Sequence, residues 1–220
     1  MQMNTQVLGQ RAQPVETNKV LRNTFILLSM TLLFSAVTAF FGVVLGISQM
    51  MGLVASLVAL GMLWFVLPRT ANSSAGIPVI FAITGLLGFG LGPVISYYLA
   101  MNPVIVLTAL GGTGAIFLGL SGYAMTTRKD FSFMGGFLMV GLMVVLGASL
   151  LNIFLGMPAL ALAVSAGIIL VMSGLILFEV SRIINGGETN YIMATASLYL
   201  SILNIFQALL QILGAFSSDD

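Results

Sequence analysis

The sequence predicts an all-α integral membrane protein with seven transmembrane helices. Of its 220 residues, 59% are hydrophobic and only 6% are charged, whereas a soluble domain carries about 25% charged residues. The apolar residues are also gathered into seven stretches. Each stretch is close to the ~20 residues that a helix needs to cross the hydrocarbon core of a bilayer. Because a water-soluble fold could not bury this much apolar surface, both observations indicate a membrane protein.

Charged residues, prolines and polar clusters delimit the seven stretches. The predicted spans are residues 25–46, 51–67, 77–99, 103–126, 133–155, 159–183 and 191–216. The second span is the shortest, and Trp64 and Pro68 mark its end at the membrane interface, where tryptophan is enriched. In the third span, Gly88 and Gly92 are spaced for close packing against a neighbouring helix. Pro93 predicts a kink in the same span because proline removes a backbone hydrogen bond.

The basic residues predict the orientation of the chain. The seven cations are Arg11, Lys19, Arg22, Arg69, Arg128, Lys129 and Arg182. Alternating spans place all of them on one side, which the positive-inside rule makes cytoplasmic. An odd number of spans then places the C-terminus in the periplasm. The predicted organisation is therefore a flexible, polar cytoplasmic tail over residues 1–24, a transmembrane domain over residues 25–216, and a short external C-terminus over residues 217–220.

The composition also argues against several kinds of chemistry. The chain has no cysteine and no histidine, which removes disulfides, thiol nucleophiles and the common metal ligands. A membrane serine protease lacks its base here, and an aspartyl protease would need two acids within the spans. The segment "ALGGTG" lacks the lysine of a phosphate-binding loop. We therefore expect no enzymatic activity, no cofactor, no metal site and no nucleic-acid partner, with the lipid bilayer as the surroundings of the chain.

Glu179 is the first candidate functional residue, because it lies within the predicted sixth span. A charge inside a membrane span is costly and suggests a function. Arg182 follows three residues later, so the two side chains share a helical face and can pair. Two interpretations remain: an anchor at headgroup level that is solvated or paired with Arg182, or a gate that senses protons.

A polar stripe on the predicted seventh span is the second candidate. Ser197, Ser201, Asn204 and Gln211 follow helical spacing, and Gln207 lies near the same face. Amides and hydroxyls lack partners in lipid, so the stripe should face the interior of the bundle. It serves either hydrogen bonding between helices or the lining of a polar pathway.

Several longer segments carry a family resemblance. They are "KVLRNTFILLS", "ALGGTG", "TTRKDFSFMGG", "NIFLGMPALALAVSA", "ILFEVSRIINGGETNYIMATASLYLSILNIF" and "LLQILG". These segments resemble the bacterial YccA branch of the Bax inhibitor 1 (TMBIM) family, and the resemblance covers nearly the whole chain from Lys19 onward. It implies a bundle in which six helices surround a central seventh.

The resemblance also implies a function and a partner. This branch is known to bind and restrain FtsH, the membrane-anchored ATP-dependent protease, and to be a substrate of FtsH. The tail would then be the loose end that such a protease grips; the alternative is an ordinary disordered terminus.

Other branches of the family are pH-sensitive calcium leaks that use one acid on span six and one on span seven. Here Glu179 stands at the first position but Ser201 at the second, and a serine cannot share a proton with a carboxylate. We therefore expect an FtsH modulator rather than a leak.

Overall fold

The structure, a computed structural model, describes residues 14–217, with side chains from residue 17 onward. Seven helices in this part of the chain are long and apolar enough to cross a membrane. The predicted fold class is therefore confirmed, and the chain is a multi-pass membrane protein. We label the helices α1 (Pro14–Val44), α2 (Gln49–Thr70), α3 (Gly76–Met101), α4 (Pro103–Thr127), α5 (Ser132–Leu155), α6 (Pro158–Ile184) and α7 (Tyr191–Ser217).

Helix α1 begins at Pro14, well before the predicted start of the first span at residue 25. Proline suits the first helical position, where its missing N–H is not needed, and no glycine or further proline precedes the apolar run. Residues 14–24 of the predicted flexible tail are therefore helical. The rest of that tail, residues 1–13, and residues 218–220 of the predicted C-terminus lie outside the described residues.

Prolines distort two of the helices. In α2, a π-helical turn at Met62–Val66 precedes Pro68, and the helix then continues to Thr70. The wider turn accommodates a residue that lacks an N–H and whose ring would collide with the preceding turn. In α3, the helix is interrupted at Leu91, just before Pro93. The kink predicted for the third span thus coincides with an interruption of the helix, for the same reason.

Glycines bring α1 and α3 into close contact. A methyl group at Gly88 would overlap the carbonyl oxygen of Ser35, and one at Gly92 would lie 2.6 Å from the carbonyl carbon of Gly42. Real Cβ atoms essentially never approach other atoms below 3.0 Å, so only glycine lets these backbones meet. The close packing predicted from Gly88 and Gly92 is thus confirmed, with Gly42 as the facing residue on α1.

Helix α7 lies at the centre of the bundle. It packs directly against α1, α3, α4 and α6, while α2 covers α3 and α5 covers α6. In its most apolar 18-residue window, 56% of the residues are buried, against 6% in α5. The buried Tyr199 connects α7 to α1 and α3. Its hydroxyl donates to the Thr84 carbonyl (3.3 Å) and shares a hydrogen bond with the Ser35 hydroxyl (2.6 Å).

The two ends of the bundle differ in charge. One end holds the start of α1 and the α2–α3, α4–α5 and α6–α7 connections, and we call it the charged end. Among residues 17–217, every charged side chain lies at or near this end. The opposite, uncharged end holds the connections that begin after Val44, Met101 and Leu155. The structure thereby places the described cations on one side of the bundle.

Candidate functional site at the charged end

Glu179 lies near the end of α6 and is only 5% exposed. Its Oε2 atom is 3.5 Å from Nη1 of Arg182, one helical turn further on. Nη2 of Arg182 is 3.4 Å from Oε2 of Glu188 and donates to the Gly187 carbonyl oxygen at 3.3 Å. The Arg182 guanidinium also lies 5.4 Å from the centre of the Phe178 ring. One arginine therefore holds two carboxylates, and Glu179 is paired rather than solvated.

A tight turn after α6 delivers the second carboxylate. The N–H groups of Gly187 and Glu188 both donate to the carbonyl oxygen of Arg182. Gly186 has φ +76°, a left-handed conformation that glycine adopts without strain. The turn carries Glu188 back over the end of α6, where its Oε1 accepts from the N–H of Asn190 at 2.8 Å. The α6–α7 loop is thus fastened to the same arginine as Glu179.

Two other connections are tied to this loop region by hydrogen bonds. Ser181 on α6 donates to the Lys129 carbonyl oxygen (3.0 Å) and accepts from the N–H of Phe131 (2.9 Å). Asn190 donates to the carbonyl oxygen of Ala71 (3.1 Å), which belongs to the α2–α3 connection. The α2–α3, α4–α5 and α6–α7 connections therefore form one linked surface at the charged end.

The α4–α5 connection also holds an acid. Asp130 Oδ1 accepts from the N–H of Ser132 at 2.8 Å, which begins the first turn of α5. Hydrogen bonds from the Ser132 hydroxyl and N–H hold the pKa of Asp130 below its usual range. Asp130 therefore stays ionised beside the cations of the loop.

The predicted polar stripe of α7 divides into two groups. Ser197 faces the carboxylate of Glu179 from across the α6–α7 contact. Ser201 is 3% exposed, and its hydroxyl donates to the Ser197 carbonyl oxygen at 3.1 Å within its own helix. The structure therefore brings Glu179, Arg182 and Ser197 together, and Ser201 lies one turn deeper in the bundle.

The second group lies toward the uncharged end. Asn204, Gln207 and Gln211 line a cavity of about 210 Å³ between α7, α6 and the second half of α3. Asn204 donates to the Leu200 carbonyl oxygen at 2.8 Å, and the side chain of Gln211 is hydrogen-bonded to Ser165 of α6. Gln207 and Gln211 are exposed rather than interior as predicted, because α3 and α6 leave this face of α7 uncovered.

Arg182 balances the charge of the Glu179 carboxylate, so the site does not suit a divalent cation. Among the described residues, no group of three acidic side chains could hold a metal ion. A divalent cation at Glu179 would have to displace Arg182 with the help of one serine hydroxyl, although such ions prefer several charged oxygens. A coupled titration of two acids across α6 and α7 would need a second carboxylate at position 201.

Two residues of the site, Glu188 and Asn190, were not predicted from the sequence. Glu188 and Asn190 lie in a polar loop after the predicted sixth span, where polar residues are ordinary. The signal that could have found them is the pair Gly186–Gly187 directly after the helix, since glycine there typically reverses the chain onto the helix end. Such a reversal would have placed Glu188 within reach of Arg182.

Comparison with known proteins decides the family. The sequence profile of the family described as "Inhibitor of apoptosis-promoting Bax1" matches residues 17–218. The chain belongs to this family. The resemblance expected from "GGETNYI" and the other segments is thereby confirmed.

Full-length relatives place the chain more narrowly among the Bax inhibitor 1 proteins. It is 54% identical over 211 residues to the "Modulator of FtsH protease YccA" of Escherichia coli K12, a match that covers 95% of each chain. It is 52% identical over 208 residues to an uncharacterized membrane protein of Vibrio cholerae, covering 94% of this chain and 93% of the relative. A protein of Pseudomonas aeruginosa is 43% identical over 226 residues, covering 100% and 97%. The predicted YccA branch is therefore confirmed.

Proposed function

We propose that this chain is a bacterial inner-membrane protein that binds the FtsH protease, restrains its degradation of membrane proteins and is itself a substrate of it. The observation that carries the proposal is the 54% identity, over 95% of both chains, to a relative named for modulating this protease. A second relative with the same coverage is named an inner membrane protein. The Bax inhibitor 1 fold and the seven spans agree with a partner that lies in the same membrane.

The proposal assigns the charged end to the cytoplasm. The positive-inside rule favours this side for the described cations of α1 and the three connections. Ser181, Asn190 and Arg182 link those connections into one surface, so a protease that works in the cytoplasm would meet an ordered face. Residues 1–13 precede α1 in the sequence, and we assign to them the role of the end that the protease grips.

The fold supports restraint as well as degradation. An ATP-dependent protease extracts a membrane protein by pulling on one end, and extraction must separate packed helices. Here α1 is held by the glycine contact at Gly42 and by the Ser35–Tyr199 hydrogen bond. A bundle that docks through its charged end, and that resists extraction when its tail is gripped, would occupy the protease in either case and delay its action on other substrates.

The experiment measures the lifetime of an unstable membrane substrate of FtsH in cells that overproduce this chain. We expect a longer lifetime and co-purification of FtsH with the chain. A variant that lacks residues 1–13 separates the two roles, since it should still co-purify and restrain but should no longer be degraded. An unchanged substrate lifetime together with no co-purified FtsH would overturn the proposal.

A second candidate, a calcium or proton leak, is favoured by one observation. Polar side chains follow one face of α7 from Ser197, beside Glu179, to Gln211 near the uncharged end. Calcium and proton flux into liposomes that contain the chain, measured against pH, tests this function. A leak that runs along this face requires flux above protein-free liposomes and a change in that flux with Glu179→Gln; flux equal to protein-free liposomes rules it out.

A further inference from the structure

We propose that the bundle binds the acyl chain of a bilayer phospholipid in an apolar cavity between α1, α4 and α7. The cavity has a volume of about 460 Å³, within the roughly 300–1,000 Å³ range of small-molecule pockets. It lies away from the site at the charged end, and it does not depend on the proposed relation to FtsH.

The walls of the cavity suit hydrocarbon. Its inner wall is formed by α7, with Ile202, Leu203 and Phe206, and α1, α4 and the second half of α3 add further apolar side chains. Three hydroxyls also border it, from Ser35, Thr113 and Tyr199.

These hydroxyls are already hydrogen-bonded within the protein. Ser35 and Tyr199 bond to each other at 2.6 Å, and Thr113 donates to the Ala109 carbonyl oxygen at 2.7 Å. A buried water needs two to four polar partners, and an apolar cavity without them does not hold water. The chemistry of the cavity therefore selects an apolar occupant.

The cavity opens sideways, between α1 and α4. Toward the charged end this gap is closed by Phe25 and Phe117, whose ring centres are 5.8 Å apart. Elsewhere α1 and α4 make few contacts with each other. Phe40 on α1 and Leu110 on α4 line the cavity, yet they are 62% and 54% exposed on the outside of the bundle. They form the two sides of an opening that faces the bilayer.

The position of the opening identifies the occupant. The lining residues come from the second half of α1 and the first half of α4, so the opening lies in the half of the membrane next to the uncharged end. The surroundings at that depth are the acyl chains of lipids. An empty cavity of this size would leave its lining atoms without dispersion contacts on the side that faces the cavity. A chain that enters from the bilayer restores those contacts.

The charge distribution makes the site selective for the chain rather than for the headgroup. Among residues 17–217, the charged side chains lie at the opposite end of the bundle. A phosphate or amine of a lipid in this leaflet therefore meets no charged side chain of the described bundle. We expect zwitterionic and anionic lipids with the same chains to bind alike.

The test uses tryptophan fluorescence in bilayers of phosphatidylcholine whose acyl chains carry bromine, which quenches tryptophan on contact. The chain has a single tryptophan, Trp64, which is exposed on α2 and is replaced by phenylalanine. Phe206→Trp then places the reporter on the inner wall of the cavity. We expect the brominated lipid to quench most of the emission seen in unbrominated lipid.

A second substitution on α4 fills the cavity. Gly114 lines it, and a Cβ there meets nothing within 4 Å, so Gly114→Leu can extend into the space. It should reduce the quenching at position 206 by more than half. Gly119→Leu is the matched control, because Gly119 lies exposed on the same helix outside the cavity with equally open surroundings. The control should leave the quenching unchanged.

Four results would contradict the binding of an acyl chain, its selection without regard to headgroup, or the choice of a phospholipid as the occupant. Weak quenching at position 206, or equal quenching with and without Gly114→Leu, would show that no chain enters. Severalfold stronger quenching by brominated phosphatidylglycerol than by phosphatidylcholine would contradict selection by the chain alone. Stronger quenching by a brominated free fatty acid, at equal mole fraction in unbrominated lipid, would assign the cavity to fatty acids. If Phe206→Trp loses its helical circular dichroism, Leu203→Trp on the same wall carries the same test.

Discussion

Glu179 shows what spacing along a helix can predict at the scale of single residues. Arg182 is three positions further along the helix, and the two side chains do lie in contact at 3.5 Å. Its second neighbour, Glu188, could not be predicted by helical spacing, because a left-handed glycine at position 186 turns the chain before it. The serine on α7 that faces Glu179 depends on how α6 and α7 pack, which the local sequence does not specify.

The shared arginine predicts energetic coupling between Glu179 and Arg182. Arg182→Met should lower the free energy of unfolding by about 1–3 kcal/mol, because it leaves a buried carboxylate without its partner. Adding Glu179→Gln should restore part of that loss, since the orphaned charge is then removed. Denaturation in mixed micelles measures the two single variants, Arg182→Met and Glu179→Gln, and the double variant.

A control for this double-mutant cycle of Glu179 and Arg182 is available at the same end of the bundle. Arg69 is exposed and bonds only to the Phe65 carbonyl of its own helix among the described contacts. Arg69→Met should change the free energy of unfolding by less than about 0.5 kcal/mol. Strict additivity of the Glu179 and Arg182 substitutions would contradict the pairing.

Tyr199 gives a second prediction at the scale of a residue. Its hydroxyl bonds to Ser35 on α1 and Thr84 on α3, so Tyr199→Phe should lower the free energy of unfolding by about 0.5–1.5 kcal/mol. Tyr97→Phe, at an exposed position on α3, is the control and should have no measurable effect. Equal effects of the two substitutions would show that the hydroxyl contacts contribute nothing specific.

At the scale of helices, glycine and proline carried most of the predictive information. Pro93 marks the interruption of α3, and the spacing of Gly88 and Gly92 predicted a close helix contact. Gly42 was not predicted as the facing residue, because a single glycine in an apolar span looks the same whether it faces lipid or another helix. The early start of α1 was missed because the polar residues after Pro14 gave no apolar period.

The contact between α1 and α3 predicts that the free energy of unfolding depends strongly on the size of the side chain at position 92. Gly92→Leu should lower the free energy of unfolding by about 1–3 kcal/mol or more, since the new side chain would collide with the backbone at Gly42. Gly111→Leu is the control, because a Cβ at exposed Gly111 meets nothing within 4 Å. Thermal unfolding in one detergent compares both with the parent protein. Equal midpoints for the two variants would contradict the close contact.

At the scale of the whole molecule, composition sufficed for the class, while the number of spans followed from the positions of charged residues, prolines and polar clusters along the chain. The central position of α7 followed from the family resemblance and not from composition. A physical signal for it does exist, because α7 is the least apolar of the seven spans and the most buried, whereas only 6% of the residues in the strongly apolar α5 window are buried. Packing against protein tolerates polar groups that lipid would not.

The orientation proposed for the bundle is testable with fusions. Alkaline phosphatase, which is active only in the periplasm, should be active when fused after Asp220, because seven spans separate the two termini. The same enzyme inserted after Lys129, in the α4–α5 connection, should be inactive. The reverse pattern, in fusions that are stably expressed, would place the charged end in the periplasm.

The proposed restraint of FtsH can be measured with purified components. The most direct measurement uses proteoliposomes that contain purified FtsH, a membrane substrate and ATP, with or without an equal amount of this chain. If the chain restrains FtsH, the membrane substrate should be lost more slowly when the chain is present. An unchanged rate of loss, with the chain folded in the same membrane, would contradict it.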